Sequence, residues 1–536
     1  MHAVMRDSRS RSWSFAALVV AAGAGSLLAV TRAEAFCGFY VSGSAEGLFN
    51  KATRVALMRQ GTRTVLSMSN DYDGPPEDFA MVVPVPVVLS QSNVRTLPHD
   101  VFDHVEALTA PRLVEYWEQN PCPEEGRQVP GVAMDLAQPT SLRLAAAESY
   151  EEAERTVRVE ARFAVGEYEV VILSATESSG LETWLRGNRY NIPRGAAAYL
   201  APYVRGEWKF FVARVDVERA QRRPGGGVRL SPLRMHYDAT EFRLPVRLGL
   251  LNAPTGPQDL IVYVLHPEAR FEVANYRNVF IPTNLDVKDE VRERFPAFYA
   301  ALFDATVQSS GQRAVVTEYA WSTGGCDPCP SPALDANDLA TLGADVVDDF
   351  QGSSMVVTRL HARYNAATLT DDLVFREATP VVGGREMRAG AEAALERGAQ
   401  RTSQGNSFQA RYAIRHPWTG PVTCEHPQRG VWGANPQGGG SAPALAARDL
   451  ADAPREALSL PSVVLSEVPG VDLNARLALP AATEVTHPPQ IPNGARRGCA
   501  CAVGASPVGA RELAALGVLA GALARWRRAR RSVKRS

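Results

Sequence analysis

The stretch "TRVALMRQGTRTVLSMSNDYDGPPEDFAMVVPVPVV", residues 53–88, predicts paired β-strands. Apolar and polar residues alternate along most of it, as they do in strands that bury one face. Gln60-Gly61 and Asp73-Gly74 supply the turn residues between the runs. The stretch therefore predicts hairpin-like strands and a core built mainly from sheets.

The rest of the chain mixes further strand patterns with short helical ones. Strands are predicted at residues 156–174, 208–217, 235–246, 259–265, 271–279, 356–364 and 409–414. Helices are predicted at residues 181–186, 196–204, 291–302 and 335–342. This pattern predicts an α+β fold with a strand-rich mixed body and short helices.

A helix is also predicted where the apolar residues Val101, Phe102, Val105 and Leu108 recur at helical spacing. Pro111 cannot continue a helix, because it lacks the backbone N–H and clashes with the preceding turn. A second short helix is therefore expected after Pro111.

Length and charge set limits on the class of protein. The chain has 536 residues, 45% of them hydrophobic, and a formal net charge of −1, so it can form two or more cores of ordinary size. No basic face is visible outside the two termini, whereas binding to nucleic-acid phosphates needs concentrated Lys and Arg. The composition argues against a nucleic-acid partner.

The N-terminus has the three parts of an export signal. Arg6, Arg9 and Arg11 give a positive start, residues 13–30 are mostly apolar, and small residues lead up to Ala35. Cleavage by signal peptidase after Ala35 is therefore predicted, with residues 1–35 as the signal peptide. The alternative is an uncleaved membrane anchor, since 18 mostly apolar residues nearly span a bilayer.

Export would place the cysteines in an oxidising compartment, where thiols pair. Five cysteines lie in the body of the chain, so at least one of them stays free or pairs elsewhere. Disulfides are expected to involve Cys326 and Cys329, with Cys37, Cys122 and Cys424 as further candidates. The seven cysteines are Cys37, Cys122, Cys326, Cys329, Cys424, Cys499 and Cys501.

The spacing Cys326-Asp327-Pro328-Cys329 has three interpretations: a structural bridge, a redox couple or half of a zinc site. Zinc needs two more well-placed ligands, and no histidine lies near the motif in the sequence. A thioredoxin-like couple would open a helix, whereas Gly, Pro and Ser flank this motif on both sides. The structural bridge is the favoured interpretation, and the other two stay open.

The composition divides the chain into four parts. Residues 36–429 are predicted to form the globular body, with two possible subdomains that meet near residues 285–310. Residues 430–498 are rich in Pro, Ala and Gly and poor in aromatic residues, which is typical of a linker or stalk. Residues 499–536 form a terminal segment that contains a predicted hydrophobic helix.

Several separated motifs in the body resemble a known family. They are "YDGPPEDFAMVVPVP", "LETWLRGNRYNIP" with "YLAPYVRGEWKFFVARVD", "LPVRLGLLNAP", "TEYAW" with "CDPCP", and "ARYAIRHPWTGPVTC". Together, and in this order, they resemble the bacterial family called domain of unknown function 2330, over about residues 37–424. Such proteins often have a denser Cys-Gly cluster at the mature start than Cys37-Gly38. The resemblance implies an exported domain and no established activity.

The end of the chain resembles an address signal. Cys499 and Cys501 precede an apolar run of 12 residues, 513–524, which is short for a stable span at 1.5 Å per residue. The arginine cluster after it would stay on the cytoplasmic side of the membrane. Residues 496–536 resemble the C-terminal sorting signals of myxobacteria, which implies a dedicated membrane protease as partner and processing or lipidation near Cys499.

No catalytic motif stands out in the body. The sequence has no G-x-S-x-G, H-E-x-x-H or Walker motif. Asp71-Tyr72-Asp73-Gly74 resembles the start of a calcium loop, but Val82 stands where the bidentate acid should be, so a hairpin turn is favoured. His99 and His104 are five residues apart, whereas a shared helix face needs three or four. We therefore assign no catalytic, cofactor-binding or metal-binding residue.

Two residue groups remain, and for each we favour a structural role. A crowded aromatic segment could line a carbohydrate or peptide groove, but its periodicity favours core packing. A set of aspartates is expected to solvate helix faces and termini. The aromatic residues are Trp184, Tyr190, Tyr199, Tyr203, Trp208, Phe210 and Phe211. The aspartates are Asp335, Asp338, Asp345, Asp348, Asp349, Asp371 and Asp372.

These observations lead to two hypotheses of different class. The first is an exported protein anchored at the cell surface or outer membrane, after transient anchoring in the inner membrane, with a structural or partner-binding role. The second is an exported hydrolase that uses carboxylates, or a thiol redox enzyme that uses Cys326 and Cys329. The lack of catalytic motifs favours the first, and its surface ligand is not identified by the sequence.

Overall fold

Stacked sheets with helices on both outer sides form the body of the protein. The computed structural model describes residues 53–122, 156–347, 354–386, 396–436 and 458–479, with gaps at 70–71, 74–79, 189, 191, 193–194, 217, 220, 223–227 and 253–257, and the strand backbone at 39–41 and 49–50. These residues all fall in one compact unit. The predicted signal peptide, Cys37 and the terminal segment with its hydrophobic helix lie outside the described residues.

The strands and helices of the first half alternate between long hairpins and short helices. The strands are β1 (Phe39–Val41), β2 (Phe49–Asn50), β3 (Thr53–Gln60), β4 (Arg63–Ser69), β5 (Tyr72–Asp73), β6 (Ala80–Val85), β7 (Val94–Thr96), β8 (Arg112–Glu118), β9 (Val157–Val165), β10 (Tyr168–Ala175), β11 (Lys209–Val215), β12 (Gln221–Arg222), β13 (Val228–Arg229), β14 (Leu233–Asp238), β15 (Arg243–Leu244) and β16 (Gln258–His266). The helices are α1 (Asp100–Thr109), α2 (Ser178–Gly187) and α3 (Ala196–Arg205).

The second half adds the longest helix and completes the sheets. The strands are β17 (Arg270–Val273), β18 (Arg277–Phe280), β19 (Leu285–Val287), β20 (Ala314–Ser322), β21 (Val356–Tyr364), β22 (Leu373–Ala378), β23 (Val381–Gly383), β24 (Gln400–Arg401), β25 (Ser407–Gln409), β26 (Arg411–His416) and β27 (Trp432–Gly433). The helices are α4 (Phe295–Ser309), α5 (Ala336–Leu339), which continues into a π-helical turn at Ala340–Ala344, and α6 (Leu460–Val463).

Within the described residues, the main sheet has eleven strands, in the order β24-β23-β25-β20-β21-β16-β3-β4-β14-β7, with β18 paired to β20. Strands β3 and β4 form the antiparallel hairpin that the opening stretch predicts. Gly61 lies in its turn with φ 57°, a left-handed conformation that glycine adopts without a steric penalty. The strand prediction for residues 356–364 is also confirmed, because β21 has the same bounds.

Apolar residues cover both faces of the main sheet. One face packs against a five-stranded sheet, β1-β6-β11-β10-β9, where Leu57 shares a cluster with Phe211. The other face packs against α1, where Val65 shares a cluster with Phe102. Helices α2 and α3 cover the outer face of the five-stranded sheet. The layers are therefore helices, sheet, sheet and helices.

A four-stranded sheet, β19-β26-β8-β27, lies beside α4 and corrects one prediction. The second helix expected after Pro111 is strand β8, which pairs in parallel with β26. Leu113 and Val114 are both buried because the two faces of this strand contact different clusters. A strand buried on both faces loses the simple alternation, which made this segment look helical.

Part of the predicted linker packs on the body. In the segment 458–479, Leu460 is fully buried and Val463 nearly so, in the same cluster as α4. The backbone N–H of Lys288 donates to the carbonyl of Val463 at 2.9 Å, and Val464 forms a bridge with Val287. The linker interpretation is therefore wrong for this segment, because its apolar residues complete a core that the body leaves open.

The predicted fold class is confirmed, since the described residues form a strand-rich α+β body with short helices. Among these residues, no helix has the length and apolar character needed to cross a membrane.

Candidate functional site

The motif Cys326-Asp327-Pro328-Cys329 forms a loop after β20, which we call the CDPC loop. The bridge predicted between Cys326 and Cys329 is present. Cys329 is exposed, whereas Cys326 is half-buried and packs against the apolar cluster beneath α1. The disulfide therefore lies at the surface, with one sulfur turned toward solvent and the other toward the body.

Three fully buried side chains hold the backbone of this loop. Arg112 Nη1 donates to the carbonyl of Pro328 at 2.8 Å. Gln409 bonds Asp327 twice, since its Nε2 donates to the Asp327 carbonyl and its Oε1 accepts from the Asp327 N–H at 3.1 Å. The Tyr319 hydroxyl donates to the carbonyl of Gly325. The loop is therefore fixed by hydrogen bonds from β8, β20 and β25.

Arg411 lies next to Arg112 in the parallel register of β26 and β8. Its side chain is fully buried, with Nη1 at 3.8 Å from Asp327 Oδ2 and Nη2 at 4.0 Å from Glu386 Oε2. Both distances exceed a hydrogen bond. Within the described part of the chain, none of the three guanidinium nitrogens of Arg411 has a hydrogen-bond partner. Its guanidinium lies 5.3 Å from the centre of the Tyr116 ring.

The electrostatics of this pair follow from burial. Removal from water, together with the charges of Arg112 and Arg415, lowers the pKa of Arg411 to about 9. Burial likewise lowers the pKa of Arg112 to about 10. Both guanidinium groups stay charged at neutral pH, so two buried cations lie beneath the CDPC loop.

A second disulfide joins the segment that follows β8 to the segment that follows β26. Cys122 and Cys424 are bridged across a sequence separation of 302 residues. Nearby, Glu118 accepts the backbone N–H groups of Trp418 and Gly430, each at 2.9 Å. Both hydrogen bonds lower the pKa of Glu118, and the bond from Gly430 has the larger effect. The segment that follows β26 is thus fixed to β8 by a covalent bond and by a buried carboxylate.

The largest group of titratable residues lies inside the body. We call it the buried charge network; its members are Glu106, Asp259, Asp304, Glu318, Arg359, His361 and Arg363. Arg359, His361 and Arg363 alternate along β21 and point from the main sheet toward the layer of α1 and α4.

Each basic side chain of the network is paired with carboxylates. Arg359 Nε lies 2.5 Å from Glu318 Oε2. His361 Nδ1 lies 2.7 Å from Glu318 Oε1, and its Nε2 lies 3.0 Å from Asp259 Oδ1. Arg363 bonds both oxygens of Asp259, at 2.7 and 3.0 Å. The strand β21 therefore crosses the core with its charges neutralised.

The pKa shifts in the network favour the charged forms. Burial alone would raise the pKa of Glu318, but the charges of His361 and Arg359 outweigh it and lower that pKa to about 2. Burial would lower the pKa of His361, but Glu318 and Asp259 raise it. Both ring nitrogens of His361 are bonded and the side chain is fully buried, so it cannot accept a proton from a substrate. The buried charge network therefore has a structural role.

One group in the described residues has metal-ligand chemistry, namely Glu115, Asp289 and His416. The guanidinium of Arg292 already binds it, since it bonds Glu115 at 2.8 and 2.6 Å and Asp289 at 2.5 Å. The hydrogen bonds from Arg292 also lower the pKa of Glu115, against the effect of burial. A side-chain cation thus fills the position that a metal ion would need.

Among the described residues, neither His99 nor His104 belongs to a group of possible metal ligands. His104 Nδ1 bonds Asp338 at 2.8 Å and its Nε2 contacts the carbonyl of Pro332 at 3.0 Å. His99 precedes the first residue of α1. Asp73 belongs to the short strand β5, whereas Asp71 lies outside the described residues.

The core interpretation of the aromatic segment is confirmed for four residues, Tyr190, Tyr203, Phe210 and Phe211, which are buried. Trp184, Tyr199 and Trp208 are partly buried against the same cluster. Trp184 also borders an open surface pocket of about 660 Å³ that Thr156, Glu177 and Asn188 help to line.

The aspartates divide between the surface and the core. Asp335 caps α5, as expected, because its side chain accepts the N–H groups of Asn337 and Asp338. Asp372 is buried instead, and its Oδ1 accepts the hydroxyl of Tyr203 at 2.6 Å and the N–H of Val246 at 3.0 Å. The solvating role predicted for Asp372 is therefore wrong. Asp348 and Asp349 lie outside the described residues.

Sequence reasoning missed the buried charges. Their signal was present in "RLHAR", residues 359–363, where basic residues recur at period two inside a strand that is otherwise apolar. That period places Arg359, His361 and Arg363 on one face. Arg411 gave no such signal, because only the strand register shows that it lies beside Arg112.

The comparisons with known proteins identify a family and no activity. No curated protein and no solved structure matches the chain. A family model matches residues 31–376, a range that contains the body motifs except the last one, at residues 410–424. The chain belongs to the family described as "uncharacterized protein conserved in bacteria (DUF2330)".

Proposed function

We propose that this chain is an exported protein held at the cell surface, where its body has a structural or ligand-binding role. The observation that carries the proposal is the pair of disulfides, Cys122–Cys424 and Cys326–Cys329. Disulfides persist outside the cytoplasm and are rare within it, where thiol reductants keep cysteines reduced. The Cys122–Cys424 bridge joins the segments that follow β8 and β26, across a sequence separation of 302.

The sequence patterns at both ends support the same proposal. Signal peptidase would remove residues 1–35 after Ala35, and a sorting protease would process the segment 499–536 near Cys499. A lipid on Cys499 or Cys501 would then hold the protein at the cell surface or outer membrane. The linker between body and anchor would be shorter than the composition suggests, because residues 458–479 pack on the body.

The state of the acid and base groups supports binding over hydrolysis. The carboxylates Asp259 and Glu318 are buried and paired with basic side chains, so they are closed to a substrate. The exposed carboxylate of Asp371 is paired with Arg247.

Protease treatment of intact cells tests the proposal. We expect an added protease to digest the body without lysis, while a cytoplasmic marker stays whole. A Cys499→Ser variant should lose surface retention and accumulate in the inner membrane or the medium. Digestion of the body only after lysis would contradict the surface location.

A further inference from the structure

The two disulfides differ in exposure and in the length of chain that they close. Cys326–Cys329 closes a loop of four residues and Cys329 is exposed, whereas Cys122–Cys424 joins cysteines 302 positions apart and both residues are half-buried. A short loop restricts the unfolded chain much less than a long one, so this bridge contributes less to stability. Exposed disulfides are also the ones that exchange with external thiols.

The CDPC loop keeps its shape without the sulfur–sulfur bond. Arg112, Gln409 and Tyr319 hold the backbone of its residues and of Gly325, and all three side chains are fully buried. The Cα atoms of the two cysteines are 4.9 Å apart in the bridged form. These hydrogen bonds should keep the cysteines close together after reduction.

Positive charge lies beneath this loop. Arg112 bonds the carbonyl of Pro328, and Arg411 lies 3.8 Å from Asp327 without a hydrogen bond to it. The nearby carboxylates are those of Asp327, which also accepts the N–H of Glu386 at 2.6 Å, and of Glu386. The guanidinium of Arg411 thus lies beside the loop within 4.0 Å of two carboxylates, and no hydrogen bond to a described residue fixes its orientation. Further titratable groups near the loop include Tyr319, which bonds Gly325, His104, which contacts Pro332 and pairs with Asp338, and Arg385, whose charge interacts with Asp327.

From these observations we infer that Cys326 and Cys329 form a redox-active pair that oxidises thiols outside the cytoplasm, an activity that goes beyond the proposed structural or binding role. A thiolate RS⁻ attacks Sγ of the exposed Cys329, the bond between the two cysteines breaks, and Cys326 leaves as a thiolate. A second RS⁻ attacks the sulfur of the attached R group, which releases Cys329 and the disulfide RS–SR.

The reaction balances in sulfur, protons and electrons. One protein disulfide and two RSH give one protein dithiol and one RS–SR, so the external thiols lose two electrons and their two protons pass to Cys326 and Cys329. The reductant is a monothiol or the paired thiols of another protein. Arg411 acts through the cysteines as a positioning residue, because its charge stabilises the thiolate that forms.

Equilibration of the full chain with glutathione tests the inference. After trapping by an alkylating reagent, peptide-resolved mass spectrometry reports Cys326 and Cys329 separately from Cys122 and Cys424. We expect the CDPC loop to be reduced with an equilibrium constant about tenfold or more above that of the other bridge. Simultaneous reduction of the two bridges, or earlier reduction of Cys122–Cys424, overturns the inference.

Charge variants test the role of Arg411. Arg411→Met should lower the equilibrium constant for reduction of the CDPC loop about tenfold and raise the cysteine pKa, followed by the pH dependence of alkylation, by about one unit. Arg411→Lys should restore most of both effects. Arg270→Met is the matched control, since Arg270 is also buried, but its Nε donates a hydrogen bond to the carbonyl of Thr379.

A second variant keeps the test valid if Arg411→Met does not fold. Asp327→Asn removes a negative charge from the loop and should shift both readouts in the opposite direction. The role of charge is contradicted if Arg411→Met and Arg270→Met change the equilibrium constant and the cysteine pKa equally. It is also contradicted if Asp327→Asn shifts these two quantities in the same direction as Arg411→Met. An oxidised Cys122–Cys424 bridge in each variant confirms that it has folded.

Discussion

His361 donates from Nδ1 to Oε1 of Glu318 across 2.7 Å, and both side chains are fully buried between the main sheet and the helices. An imidazolium and a carboxylate in this position each depend on the other, since a lone buried charge costs several kcal/mol.

Replacement of His361 should therefore strongly destabilise the body. His361→Ala leaves Glu318 and Asp259 with less compensating charge, and we expect a loss of about 3–5 kcal/mol in the free energy of unfolding. Urea denaturation measures it. His236→Ala, at a half-buried histidine that contacts Asn93, is the control and should cost about 1 kcal/mol or less. A loss below about 1 kcal/mol for His361→Ala would contradict the account.

The contribution of His361 should depend on pH. Burial opposes protonation of this histidine, but Glu318 and Asp259 raise its folded-state pKa above the ordinary 6.5. The contribution is therefore complete below about pH 6.5 and is lost as the pH rises through the folded-state pKa. Unfolding free energies measured at several pH values should show the gap between the wild type and His361→Gln narrowing with rising pH. A gap that widens would refute this sign.

Glu318 should show the opposite dependence. Burial raises its pKa, but His361 and Arg359 lower it overall, from 4.5 to about 2. Its contribution is present above about pH 4.5 and is lost as the pH falls toward 2. Acid titration of the wild type and of Glu318→Gln, followed by circular dichroism, should bring their stabilities together at low pH. Parallel acid curves for the two proteins would argue against it.

The two disulfides should differ in their effect on stability. Loop-closure entropy predicts about 6 kcal/mol for the bridge between Cys122 and Cys424 and about 2 kcal/mol for the four-residue loop. We expect the double Ala variant at Cys122 and Cys424 to lose most of its thermal stability, whereas the double Ala variant at Cys326 and Cys329 loses about a third as much. Calorimetry of both variants measures their stabilities. The prediction is wrong if the variant at Cys326 and Cys329 is the less stable of the two.

Gly384 supports the CDPC loop through Gln409. It has φ 77°, and a Cβ added there would lie 2.0 Å from the carbonyl oxygen of Gln409. Gly398 has a similar φ of 71° with nothing within 4 Å, so it serves as a matched control. Gly398→Ala should cost about 1–2 kcal/mol through backbone strain alone. Gly384→Ala should cost about 1–3 kcal/mol more than Gly398→Ala because of the clash. Equal losses in the free energy of unfolding for the two variants, measured by denaturation, would contradict this prediction.

Local patterns predicted the parts of the fold that depend on neighbours in sequence. The alternation along residues 53–69 gave β3 and β4, and the apolar spacing from Val101 to Leu108 gave α1. The segment after Pro111 was predicted wrongly, because its conformation depends on pairing with β26, some 300 residues away. Residues 458–479 were predicted wrongly for the same reason, since their apolar side chains are buried in a cluster that includes residues of α4 and β19, far from them in sequence.

The candidate site was predictable only in part. The spacing of Cys326 and Cys329 was sufficient to predict the bridge. The partner of Cys122 was left open, because connectivity cannot be deduced from the positions of cysteines. Arg411 could not be found, since its burial and its lack of hydrogen bonds follow from the strand register and from nothing in its own neighbourhood.

The parallel pairing of β8 with β26 also bears on where the folding unit ends. The family model stops at residue 376, before β26, Gln409, Arg411 and Cys424. A fragment that ended at residue 376 would expose both edges of β8 and leave Cys122 without its disulfide partner. It would also lack Gln409 and Arg411, which contact Asp327 of the CDPC loop. The packed body of this protein therefore extends to about residue 479, beyond the range that the family model matches.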